Sequence, residues 1–453
     1  WSSKYILTTL RENMAATDLG LIGAILMIAV GAMTLYFVRN NKKLMWNQRL
    51  GAHIICWLFL AKGIGSAAAS FLIADGVLFG SGGYWQFTFS LLWLMDILFT
   101  TGMLGLCLVF PIPILRNKKH LKIAFTAIAV FTAYRIILFM VGFGVTILEL
   151  SGITYLICGI IWGTVYIRFR LAPVEKRNQS TENIALAAGL LLIFHLGHIW
   201  FSWPGLILRA EYFYNLDLME GISHRSVEYF WQACYAFSIG LGMMLCAIEI
   251  KQLVNGRANQ FTYAMITYFT LGFIGYTILS SASDAFWWAS GEQTLAQIWI
   301  TLTSSMHFTI LRPLIGMYVL LRFGLFDTSE DMKPKAKMMV IILIVIATSA
   351  LLELVQAIVP MNEMLSAALL GIIVAFGIGW EERSFDNLVN APSSMRDGVE
   401  DKWYPHIEIK ESLFKGLDIG MGLLVSAFLL IAYLQWQTNA IFELAVRRVN
   451  GEW

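Results

Sequence analysis

Long apolar runs separated by short polar connections set the pattern of this chain. A helix needs about 20 mostly apolar residues to cross a bilayer. Twelve segments meet or approach that length: 17–38, 50–73, 86–110, 121–144, 147–167, 183–203, 227–249, 261–281, 297–321, 338–359, 364–380 and 416–436. The eleventh is short, and the fourth and fifth lie close enough to form a hairpin. Residues 1–16 read as an amphipathic segment on the outer surface, and 437–453 as an outer C-terminal tail. The predicted fold is all-α: a polytopic integral membrane bundle of about 12 transmembrane helices.

Charge placement orients the bundle. Lys and Arg accumulate on the cytoplasmic side of membrane proteins. Of the 32 basic residues, 23 fall after the odd-numbered spans, six fall on the opposite side and three lie inside spans. A missed helix would scramble that split. It places both termini outside. Aromatic residues agree: Trp85, Trp203, Trp287, Trp288 and Trp299 fall at outer edges, and Trp46, Trp380 and Trp403 near inner ones.

Composition supports the same class. The chain is 58% hydrophobic and 14% charged, with a mean hydropathy of +0.67. Soluble domains carry about 25% charged residues. A net charge of +2 from 32 basic and 30 acidic residues leaves no nucleic-acid footprint. The five cysteines, Cys56, Cys107, Cys158, Cys234 and Cys246, all fall in apolar stretches without a CxxC pair, so they read as buried structural thiols. No charged stretch followed by an apolar core and cleavage site opens the chain, so no signal peptide is expected in it.

The loops are short, and none is long enough for a separate catalytic domain. GxGxxG, GxxxxGK[ST] and GxSxG are all absent, and the expectation is a protein without catalysis of its own. Gly63 and Gly65 sit mid-membrane, where small residues let helices approach closely. Outer loop 204–226 mixes polar and aromatic residues, as an interfacial connection or a cap on an external entrance. Inner loop 381–415 carries mixed charge, as a docking surface or a solvated linker.

Ionisable residues at membrane depth cost free energy and must face the bundle interior. Lys62, Asp96, Arg135 and Arg312 fall near the midplane of spans two, three, four and nine, and Glu353 nearer the outer side of span ten. These five are the candidate ligand or coupling site. Asp96 can pair with Lys62 or Arg135 on the neighbouring spans. Arg312 is then left to Glu353, to helix-end carbonyls or to an anionic ligand. Ion pairs that simply fix helix register are the plainer alternative.

Three histidines join this picture. His195 and His198 share one face of span six, and His307 lies at similar depth in span nine. They are candidate metal or heme b ligands, with hydrogen-bonded structural histidine as the alternative. The His-His and His-x-His patterns of heme–copper oxidase subunits are missing.

Span nine runs from Arg312-Pro313 into Leu320-Leu321-Arg322-Phe323-Gly324-Leu325-Phe326-Asp327. Two spans later comes Trp380-Glu381-Glu382-Arg383-Ser384-Phe385-Asp386-Asn387. Residues 312–387 thereby resemble the end of the multi-pass sensor region of membrane histidine kinases. The kinase part is missing: His406 lies in WYPHIEIKE, unlike a phospho-acceptor box, and the chain re-enters the membrane. The resemblance implies a sensor-like membrane protein that acts through membrane or cytoplasmic partners; the expected location is the cell or plasma membrane. A secondary transporter of a small solute, anionic or otherwise, and a redox or structural subunit of a larger membrane complex are the competing expectations.

Overall fold

The computed structural model describes residues 17–40, 44–78, 85–142, 150–208, 225–286, 307, 311–325, 334, 337, 338, 394–438, 440 and 444. Their ten helices are α1 (Thr17–Asn40), α2 (Trp46–Leu78), α3 (Trp85–Val109), α4 (Lys118–Met140), α5 (Gly152–Arg170), α6 (Gln179–Leu208), α7 (Arg225–Val254), α8 (Gln260–Phe286), α9 (Arg312–Arg322) and α10 (Glu411–Thr438). Seven of them, α2 to α7 and α10, are long and apolar enough to cross a membrane. The chain is therefore an all-α, multi-pass integral membrane protein. Expected spans ten and eleven, the first part of span nine, segment 1–16, most of loop 204–226 and most of the tail lie outside the described residues.

Local chemistry sets the helix ends. The same Asn-x-x-Thr sequence opens α6 and α8. Asn178 Oδ1 accepts from Thr181 N at 2.8 Å while Thr181 Oγ1 accepts from Asn178 N at 3.0 Å. Asn259 and Thr262 repeat the exchange at 3.0 and 2.9 Å. Each box satisfies amides that have no intrahelical partner. At the end of α9, Gly324 adopts a φ of 62°. That left-handed turn brings Leu325 N to Leu320 O at 2.9 Å and closes the helix.

The helices form two groups. In the first, α1 packs on α2, α2 on α3, α3 on α4, and α10 on α3 and α2. In the second, α5, α6, α7 and α8 pack on one another. Two elements join them: α3 touches α5, and α9 lies against α6 on one side and α1 and α2 on the other. α6 is almost wholly buried, whereas α4 and α10 expose most of their apolar surface. Inside the first group, Gly63 permits the close approach expected of it. A β-carbon there would lie 2.7 Å from Ile28 Cγ1 and 2.8 Å from the Ile28 amide nitrogen. The five cysteines are all free, and four are buried.

One end of the bundle is basic and capped. Arg39 Nε reaches Asp418 Oδ2 at 2.7 Å, and Arg49 grips Glu411 with two bonds of 2.6 and 2.7 Å. Segment 394–410 crosses this end. Trp46 Nε1 donates to Pro405 O at 3.0 Å, Asn183 Nδ2 to Ser394 O at 2.8 Å and Asn178 Nδ2 to Gly398 O at 2.9 Å. Arg168 stacks 4.5 Å from the Trp403 ring, and Arg116 donates to the Lys402 carbonyl. The Lys402 ammonium bound to Glu400 holds that carboxyl below its ordinary range. The described part of inner loop 381–415 is thus docked on the helix ends, and not a free linker. Its basic partners are among those the sequence assigns to the inner side.

Candidate functional site

A polar cluster occupies the seam between the two helix groups, deep in the bundle. Lys62 on α2 donates to Asp96 Oδ1 on α3 at 3.1 Å. This is one of the two pairings expected for Asp96. Both side chains keep a little exposure, 17% and 25%. Arg135, on α4, is completely buried and takes a different partner: its Nη1 donates to Thr100 Oγ1 at 2.5 Å. Thr100 in turn donates back to the Asp96 carbonyl oxygen at 2.7 Å. Arg135 is therefore linked to Asp96 through a hydroxyl and the α3 backbone.

Arg312 comes from the α9 side. Its Nε donates to Phe194 O at 2.7 Å, and its Nη2 lies 3.4 Å from His195 O. Of the three expected partners, the carbonyls are the ones these contacts supply, although they belong to the middle of α6 and not to a helix end. Glu353 lies outside the described residues. The Arg312 guanidinium also sits 4.9 Å from the Phe99 ring, and Lys62 Nζ lies 5.6 Å from the same ring. Phe99, one turn after Asp96, is the wall that the two cations share. Nothing in the sequence singles it out, because an aromatic in an apolar span carries no distinguishing signal.

The histidines border this cluster. Thr154 Oγ1 donates to Ser151 O at 2.7 Å, which uses its only proton. Its 3.2 Å contact with His195 Nε2 is therefore donated by the imidazole. In the tautomer with its proton on Nε2 the ring presents Nδ1 as an acceptor, buried and without a hydrogen-bond partner among the described residues. Tyr155 lies 5.0 Å from the His195 ring and 5.8 Å from that of His198. The His198 and His307 rings are 5.7 Å apart. His307 Nδ1 and Tyr268 Oη share a 2.8 Å hydrogen bond. The structure thus brings the three histidines to one region. Among the described residues, no group of three or more His, Cys, Asp or Glu side chains is placed to hold a metal ion.

A second polar knot, which hydropathy does not mark, closes the basic end. Glu249 on α7 is fully buried. Arg170 approaches it with Nε at 3.2 Å and Nη2 at 3.2 Å, and Tyr166 and Thr262 donate hydroxyls to the same carboxylate. Arg170 also binds Glu182 at 2.8 Å. This knot ties α5, α6, α7 and α8 together. Glu249 falls on the last residue of an expected span and Arg170 just beyond another, where a charge reads as interfacial.

The central cluster can do one thing that a neutral core cannot. Among the described residues Lys62, Arg135 and Arg312 lie around Asp96, with hydroxyl, imidazole and backbone carbonyl groups beside them. A second negative group placed beside them is favoured over the same group in lipid. Comparison of the chain with protein-family models, with curated proteins and with solved structures gave no match.

Proposed function

We propose that this chain is a sensor-like membrane protein, in which an anionic group binds at the seam and α9 carries the change to the inner surface. One observation supports this reading above others: Lys62, Arg135 and Arg312 gather around Asp96 where the two helix groups meet. A ligand at a seam can shift packing only if it favours one arrangement over another. An anion meets that condition here, because its free energy depends on how closely the cations converge. The bare His195 Nδ1 offers a site for a hydrogen-bond donor on the same ligand.

The route to the inner surface is α9. Arg312 starts this helix, and Phe323 and Leu325, just past its other end, are buried. Tyr318 on the same helix donates to Gln260 at the start of α8. In this reading the chain has twelve spans with both termini outside. Residues 312–387 act as a sensor module like those of membrane histidine kinases, with output supplied by a membrane or cytoplasmic partner. Titration of the purified protein in nanodiscs with acetate, chloride and inorganic phosphate tests the site. At least one anion raises the unfolding temperature, and Arg312→Gln abolishes the rise. No rise with any of them contradicts the proposal.

The second reading is a transporter for a small anionic solute. The capped basic end favours it, because segment 394–410 and the Arg49–Glu411 pair resemble a closed gate. Flux of a binding anion into proteoliposomes, accelerated by Glu411→Gln, separates it from the sensor reading.

A further inference from the structure

The first turns of α4 carry a basic cluster that the central site does not use. Lys118, Lys119, His120 and Lys122 are all exposed. No carboxylate pairs with Lys118, Lys119 or Lys122 among the described residues. Below them the same helix turns an apolar stripe outward: Ile123 is 58% exposed, Val130 63% and Ile137 60%. Helical spacing puts Lys119, Lys122, Ile123, Val130 and Ile137 on one face. The order along that face is two ammonium groups, then hydrocarbon running toward the middle of a membrane-crossing helix.

That order matches a phospholipid. Free phosphate would meet only the ammonium groups, and a water-soluble acidic protein would have no access to a stripe lying in the bilayer. We propose that this face of α4 is a docking surface for an anionic phospholipid. Its phosphate sits on Lys119 and Lys122, and an acyl chain lies along Ile123, Val130 and Ile137. Each lysine near an anionic lipid surface strengthens binding roughly fivefold, and the attraction weakens as salt rises.

The test is lipid retention by the full-length chain in mild detergent, read by native mass spectrometry with phosphatidylglycerol and phosphatidylcholine offered together. The wild type retains phosphatidylglycerol preferentially. Lys119→Gln with Lys122→Gln loses roughly 25-fold in that preference, with an unchanged helical circular-dichroism spectrum. Lys251→Gln removes an exposed charge from the end of α7 and leaves retention as it was. Ile123→Ser weakens retention without touching a charge. Equal retention of the two lipids overturns the proposal. So does retention that is indifferent to the paired lysine changes, or phosphatidylglycerol displaced as readily by inorganic phosphate as by a second lipid.

Discussion

Arg312 donates from Nε to the carbonyl oxygen of Phe194 at 2.7 Å, fastening the start of α9 to the middle of α6. The bond crosses the seam between the two helix groups, since α9 also lies against α1 and α2. A guanidinium buried to 3% exposure is costly. Here it is set against carbonyl oxygens and the Phe99 ring. That setting makes Arg312 sensitive to any negative charge entering the seam.

The Lys62–Asp96 pair makes a directional prediction. Asp96→Asn removes the negative charge that Lys62 binds and that Arg135 reaches through Thr100, whereas Lys62→Met removes one of the three positive charges around it. Breaking a buried pair from the side that leaves charge uncompensated costs about 3–5 kcal/mol. The partial exposure of both side chains reduces that figure here. Asp96→Asn is expected to lower the unfolding temperature more than Lys62→Met, and the double variant less than the sum of the two. Thermal unfolding of the four proteins in one detergent measures the coupling.

Gly63 predicts a packing effect free of charge. An added β-carbon meets Ile28 side-chain and backbone atoms at 2.7 and 2.8 Å, so α1 and α2 must separate. Gly63→Ala is expected to destabilise by about 1–3 kcal/mol, the range for overpacking. Gly240→Ala serves as the control, because a β-carbon there meets nothing within 4 Å. Equal unfolding temperatures for the two variants would show that the interface yields.

Tyr404 reports on the docked segment 394–410. Its hydroxyl donates to Met395 O at 2.9 Å, and burial raises the phenol above the usual tyrosine range. A group whose folded value is raised contributes stability that is complete below its unfolded value, about 10 for tyrosine. That contribution declines as the pH rises toward the folded value. The difference in phenolate absorbance between wild type and Tyr404→Phe is expected to stay flat through pH 10 and rise only above it. A rise centred on pH 10 would mean that segment 394–410 leaves Tyr404 open to water.

The sequence made some of this legible and hid the rest for physical reasons. Lys62 and Asp96 stand out because each interrupts an oily run, and adjacent spans must pack, so their pairing follows. Arg135 is as conspicuous, but its partner Thr100 is not: a hydroxyl costs little in a span and leaves no mark on hydropathy. Arg312 is visible from the same pattern, whereas the carbonyls it binds belong to every residue and cannot be singled out. Glu249 and Asp418 escape notice because they fall at span edges, where charges are ordinary. Yet Glu249 is fully buried, and Asp418 gathers Arg39, His53 and Trp57. Helix ends are also displaced: the second expected span, 50–73, becomes Trp46–Leu78, because polar end residues continue a helix that hydropathy alone stops.

The central claim is that charge at the seam is read at the inner surface. An introduced cysteine tests it directly: Asp401→Cys, at a position 96% exposed in its side chain, combined with Cys246→Ser to remove the native thiol that is not buried, in the chain reconstituted in nanodiscs. Its labelling rate with a membrane-impermeant maleimide is measured in the wild-type background, with Arg312→Gln and with Asp96→Asn. The account predicts that both core changes alter the rate several-fold, and in opposite directions, because one removes and the other adds net positive charge at the seam. Labelling rates that coincide in all three proteins, with each still folded, would contradict it.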